Sequence, residues 1–387
     1  MKKYLFSCLM AIFVLSSCTK ENDSDPENKT EPTEESNYVV SYDEALKTLQ
    51  AALSEIDGVE TRGMAGQRKI ASHYTVGQPV GETITRSVNG ETPDPYVHIF
   101  NFEGEQGYAI VSGDKRTEDI FAITDTGFLE EGREVDNPGL ILFLANAEAY
   151  YFSAIENYKE EPATRVASWS EYGSWSTYLY PTKGLSFNDW GQDDPYNRLI
   201  PLINGKYPPT GCTATATALI MAFYKYSGSY NGYTYNWDEM AKHLGPTTYY
   251  GPAISQITRL FQQLGLSSNL KMTYGLSGST ASESNIPRTL RNYGYSNGGS
   301  SGNYNETAVF NDLKNGYIVA VAGHSSKTKY KFLGITIKTI YDGHTWVIDR
   351  IIARSRTKTD YVNGIKKSTS TETQYILHCN WGWDGID

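Results

Sequence analysis

The chain has 387 residues, with 34 Lys and Arg against 44 Asp and Glu and a formal net charge of −10, and at about 150 residues per domain it is long enough for more than one. The charge is uneven: residues 1–165 hold 14 basic and 29 acidic side chains, residues 166–387 hold 20 and 15. A strongly basic nucleic-acid face is excluded, and two halves of opposite sign are suited to face each other.

Lys2 and Lys3 precede an apolar run from Tyr4 to about Leu15, shorter than the roughly 20 residues of a membrane helix and typical of an export signal. It ends in Leu15-Ser16-Ser17-Cys18, which resembles a lipobox with Cys18 as the lipidated new N-terminus. An ordinary secretory signal is the alternative. Residues 1–18 are thus expected to be a lipoprotein signal and the only membrane link. Residues 19–37 are polar, acidic and Pro-containing, an acidic tether with nothing to bury.

Residues 38–165 read as one α+β unit. Ala45, Leu49, Ala52, Leu53 and Ile56 recur at helical spacing; Tyr96–Phe102 alternates, residues 104–107 turn, and Tyr108–Ser112 completes a hairpin. A helix is expected from Pro138 to about Tyr158. His73 and His98 stand apart from any carboxylate cluster at metal-ligand spacing, and there is no phosphate loop, so no metal, cofactor or chemistry is read from this half.

With Cys8 and Cys18 assigned to the signal, Cys212 and Cys379 remain, which excludes a disulfide framework. Pro209-Thr210-Gly211 breaks the chain before an Ala-rich helix that starts at Cys212. Open N–H groups at a helix start favour an anion and offer donors to an oxyanion, as a cysteine nucleophile requires. A small buried residue packing the helix start is the plainer reading. Asp342-Gly343-His344 feeds an alternating apolar strand, and Leu377-His378-Cys379-Asn380-Trp381-Gly382-Trp383 ends another. Asn380 is placed to orient the His344 ring through its second nitrogen, with a tryptophan as shield; Cys, His and Asn in that order form a papain-type set.

These residues, together with Gln192–Asn197, Tyr235-Asn236-Trp237, Met272–Gly275 and Val347-Ile348-Asp349, resemble the streptopain-like (C10) bacterial cysteine peptidases over roughly 187–349 and 375–385. The resemblance implies an α+β, papain-like catalytic domain over 166–387, with a helical part carrying the Cys and an antiparallel sheet part carrying the His. Residues 38–165 become an inhibitory propeptide bound in cis. Carried over, Cys212 is the nucleophile and His344 the general base and acid. Asn380 with Trp381 or Trp383 supports the imidazole. Gln192 is the side-chain oxyanion donor, although Lys206 stands where papain's own spacing would put it. The run Tyr274, Gly275, Ser277, Gly278, Ser279 is expected to hold an extended peptide, glycine permitting close approach; a plain surface loop is the alternative. Protein or peptide substrates, no cofactor and no nucleic acid follow.

The charge split suits an acidic prodomain docked on a basic catalytic domain. Cleavage is expected in the exposed stretch after Tyr158, with Arg165 as the boundary. The stretch from Ile351 to Tyr375 is read as a protruding β-ribbon turning at Asn363-Gly364. The chain stops at Asp387, where the family continues into further strands, so a shortened C-terminus is expected. The rivals are an inactive surface-binding relative and an inhibitor-like protein, which have no use for an intact Cys212, His344 and Asn380.

Overall fold

The structure is a computed structural model that describes residues 38–56, 68–77, 95–158, 168–180, 190–226, 229–243, 251–324, 331–337 and 343–384. The expected signal with Cys18, the tether and Arg165 lie outside these residues.

Ser41 opens the first helix: its amide and hydroxyl both donate to the Glu44 carboxylate at 2.9 Å, a capping box. α1 then runs over Tyr42–Ile56. Four strands follow, β1 (Ile70–Gly77), β2 (Pro95–Phe102), β3 (Tyr108–Ser112) and β4 (Ile120–Ile123), antiparallel and in sequential order. The two-residue side-chain period of a strand splits this sheet into two apolar faces. Phe100, Phe102, Ala109 and Val111 pack on Ala45, Leu49 and Leu53 of α1, while Val97, Ile99, Tyr108 and Ile110 pack on the helix α2 (Pro138–Asn157). Asn137 caps α2 by accepting from the Gly139 and Leu140 amides, and Pro138 sits where a missing N–H costs nothing.

The chain continues through β5 (Ser168–Tyr172), β6 (Ser176–Leu179), α3 (Cys212–Tyr224), β7 (Ser229–Tyr230), β8 (Tyr233–Thr234), α4 (Trp237–Met240), α5 (Pro252–Leu264), α6 (Ile286–Asn292), α7 (Glu306–Lys314), β9 (Val319–Gly323), β10 (Lys331–Phe332), β11 (Ile335–Thr336), β12 (His344–Val362) and β13 (Ile365–Asn380). α3 is buried on nearly all sides. Its polar side chains tolerate this because Thr215 and Thr217 return their hydroxyls to the Gly211 and Thr213 carbonyls at 3.3 and 2.7 Å. Around it Trp190, Tyr196, Leu219, Ile257, Phe261 and Leu290 form the core of a helical part. The sheet part is built on β12, paired along one edge with β13. Its other edge is paired in turn with β9 at His344–Ile348, β6 at Ile352–Ser355 and β5 at Lys358–Val362. The expected ribbon is present, with Asn363 and Gly364 both in the left-handed region that its turn needs. It is not free-standing, because β5 and β6 line its edge and Arg354 and Arg356 lie over the Trp175 ring at 4.6 and 4.4 Å.

The two halves interlock. Phe332, Leu333, Ile335 and Ile337 of the second half belong to the core formed by α2 and the first sheet, and each such side chain contributes on the order of 1.5–3 kcal/mol by leaving water. Val135 donates its amide to the Thr336 carbonyl at 2.9 Å, and Glu148 accepts from the Leu333 amide at 3.3 Å. In return Leu142 of α2 packs with Trp346, Ile348 and Ile351 of β12. A single cut in sequence at residue 165 does not convey this exchange.

Candidate active site

Cys212 is the first residue of α3, a free, half-buried thiol behind Gly211. Gly211 has φ 93°, and a Cβ there would stand 2.5 Å from Met272 Cε and 2.7 Å from the Ser279 carbonyl. Only glycine fits this approach. No side chain caps the helix start.

Gln192 is brought beside this start although it lies 20 residues earlier. Its carbonyl accepts from the Thr210 amide at 2.8 Å, and the Gly191 carbonyl accepts from the Thr215 hydroxyl at 3.3 Å. Lys206 is exposed in a turn with Ile203.

His344 opens β12 and is 3 % exposed. Its Nε2 lies 2.8 Å from the Trp381 carbonyl. A carbonyl only accepts, so Nε2 carries the hydrogen and Nδ1 keeps the lone pair that a base uses. Burial pushes the imidazole down to about 4, with the Trp381 carbonyl pulling the other way. Trp346 lies parallel to the ring and Trp383 edge-on to it, each 6.3 Å between centroids. The Asn380 Oδ1 accepts from the Gly382 amide at 2.9 Å, shaping the turn that presents the Trp381 carbonyl.

The turn seats on α3: a Cβ at Gly382 would come within 2.7 Å of Thr215 Cγ2. Gly139 at the start of α2 lies against the Trp381 indole, where any Cβ would overlap the ring. The loop from Met272 to Glu283 spans the two parts. Thr213, beside Cys212, reaches the Ala281 carbonyl at 3.4 Å, and Thr345, beside His344, donates to Glu283 Oε1 at 3.1 Å. Of the run expected to hold substrate, Ser279 is buried next to Gly211 and accepts from the Gly275 amide at 3.4 Å. Ser277 and Gly278 are exposed. Tyr274 turns its hydroxyl onto Gly265 at the end of α5. Cys379 packs with Leu377 and Trp381 and forms no disulfide with Cys212. Trp346, Thr345 and Glu283 were missed in the sequence; Trp346 had a signal, being two residues from His344 on one strand face. Among the described residues no group of His, Cys, Asp and Glu could hold a metal, and no helix is long and apolar enough to cross a membrane.

A helical part that begins a helix with a cysteine, facing a sheet part that presents a histidine, defines a papain-like cysteine peptidase. The chain belongs to the peptidase C10 family, whose pattern matches residues 190–387, and residues 34–151 match the Spi protease inhibitor family. It is a cysteine-type peptidase carrying an N-terminal propeptide domain. It is 26% identical to streptopain of Streptococcus pyogenes over 344 residues, 78% of this chain and 74% of that protein. It is 27% identical to the thiol protease/hemagglutinin PrtT of Porphyromonas gingivalis over 176 residues, 39% of this chain and 20% of that one. A solved fragment of Prevotella intermedia prointerpain A aligns with TM-score 0.47 at 21% identity, covering 81% of this chain and 90% of that one. Active interpain A from the same organism aligns at 0.37 and 24% identity, covering 54% and 83%.

Proposed function

We propose that the protein is an exported zymogen that hydrolyses peptide bonds through a Cys212 acyl-enzyme. His344 Nδ1 takes the thiol proton as the sulfur attacks the carbonyl carbon, and returns it to the departing amine. Water, deprotonated by the same nitrogen, then releases the acyl group. The Cys212 amide and the Gln192 carboxamide donate to the oxyanion, as charge develops there. Asn380 shapes the turn, Trp381 supplies the acceptor that fixes the His344 tautomer, and Trp383 shields it. Ser279, Gly275, Ser277 and Gly278 form the edge along which an extended substrate lies; the packing of Tyr274 on Gly265 supports a structural role for that ring.

The observation that carries this reading is the pairing of the Gln192 and Thr210 backbones beside Cys212 while the His344 Nε2 is spoken for by Trp381. Residues 38–165 serve as the propeptide and 166–387 as the peptidase, separated by cleavage near Arg165. In the intact chain His344 is buried, and that burial holds its imidazole down at about 4. Residues 1–18 direct export and Cys18 anchors the intact zymogen by lipid, with residues 19–37 as the tether. The test is to express residues 19–387 as parent and as Cys212→Ala and follow mass and N-terminal sequence. The parent alone should shorten, to about 25 kDa at roughly 110 Da per residue, with a new N-terminus near residue 166. Shortening of both, or a new N-terminus inside 60–150, overturns the reading.

A further inference from the structure

On β13, His378 stands between two carboxylates from different halves of the chain. Its Nδ1 lies 2.6 Å from Asp349 Oδ1 and its Nε2 3.5 Å from Asp125 Oδ2. Asp349 occupies the bulge of β12 and its side chain is fully buried. Asp125 follows β4 in the propeptide half and is held by Arg68 Nη2 at 3.3 Å. Farther along the ribbon, Gln374 Nε2 donates to Glu118 Oε2 at 3.3 Å and Gln374 Oε1 accepts from Arg354 Nε at 2.8 Å. Tyr150 of α2 donates to the other Glu118 oxygen at 3.2 Å. Asp119 faces Arg354, Arg356 and Glu372, and Arg356 is paired with Glu372.

We propose that this face of the β12–β13 ribbon is a docking surface for the propeptide carboxylates Asp125 and Glu118, gripped more firmly when His378 carries a second proton. Each ring nitrogen faces a carboxylate oxygen; a neutral imidazole, with one N–H, donates to only one of them, and the imidazolium donates to both. Once the propeptide leaves, Asp349 alone remains and one N–H suffices. Undocking therefore releases a proton, so a falling pH tightens the grip and a rising pH loosens it. The surroundings agree in sign. Burial by itself would push His378 down, but Asp349 and Asp125 outweigh it and hold the group up at about 10. Burial raises Glu118 and Asp119 as well, against the pull of Arg354, with Glu372 adding to the rise. This proposal rests on reading residues 38–165 as the propeptide and not on the roles given to Cys212 and His344.

The test uses the full chain with Cys212→Ala, nicked by limited trypsin at Lys159 or Arg165, so that no activity of its own is needed. The two halves are then separated by gel filtration in a fixed, sub-denaturing urea concentration. Their dissociation constant should rise about tenfold between pH 6 and 8.5, the change expected for one pKa unit. Asp125→Asn should weaken the complex at pH 6 and flatten the pH response to below about threefold; His378→Gln should match it, and the double variant should be no worse. A parent complex indifferent to pH, or an Asp125→Asn complex with the full response, overturns the proposal. In the un-nicked chain, the His378 resonance of 13C-labelled histidine should titrate above pH 8. Titration near 6.5 overturns the proposal even if a variant fails to fold.

Discussion

Trp381 serves His344 through its backbone, so the side chain at that position is free for a second task, and it spends it packing on Gly139. Two predictions belong to this scale. Gln192 reaches the nucleophile only through backbone pairing, and its proposed task is confined to the transition state. Gln192→Ala should therefore lower kcat on the order of 100-fold with little change in KM, the usual size for one oxyanion donor; a loss under about threefold removes it from the hole. Thr345 and Glu283 tie the His344 strand to the loop packed against Gly211. Thr345→Val should cut kcat about tenfold at unchanged KM, and Thr345→Ser and Glu283→Gln, which keep donor and acceptor, should restore it. Equal losses in all three would make the contact incidental. Sequence spacing had made Cys212, His344 and the turn at Asn380 legible because each sits at the end of a regular element. It did not reveal that the imidazole meets the Trp381 carbonyl, since a carbonyl is present at every residue and leaves no trace in sequence.

At the scale of elements, α2 and the β10–β11 hairpin join the halves. α2 was readable to within a residue, because Asn137-Pro138 is a strong start and its apolar residues face two cores. The hairpin was not: Phe332 and Ile335 complete a hydrophobic core built from residues about 200 positions earlier, and local periodicity is silent about so distant a partner. α2 also yields a prediction. A methyl at Gly139 has to displace the Trp381 ring, and overpacking of this kind costs about 1–3 kcal/mol. In the intact chain that cost falls on docking, so Gly139→Ala should speed self-processing at least fivefold. The released peptidase lacks residue 139 and should show parental kcat/KM. Slower processing, or a change in the mature enzyme, contradicts this account of the contact.

For the whole molecule, buried histidines set the pH range of the intact chain from both sides. Burial pushes down His73, His98, His243 and His344, the last to about 4. A group depressed in the folded state binds its proton more readily when unfolded. The stability it contributes is complete above its ordinary value near 6.5 and is lost as pH falls toward 4. His378 is shifted the other way, to about 10, so its contribution is complete below about 6.5 and is lost as pH rises toward 10. Glu118 and Asp119, raised by burial, contribute stability that is complete below their ordinary values near 4 and is lost as pH rises through the raised ones, so they oppose the acid-side fall. Tm of the Cys212→Ala full chain should therefore pass through a maximum near pH 6–7 and fall on both sides. The limbs are separable, because His378 is shifted by charge partners and His344 by burial. His344→Gln should flatten the fall between pH 6.5 and 4, and Asp125→Asn the fall between pH 7 and 10. A Tm that climbs steadily down to pH 4 would mean that carboxylates, not imidazoles, control the acid side.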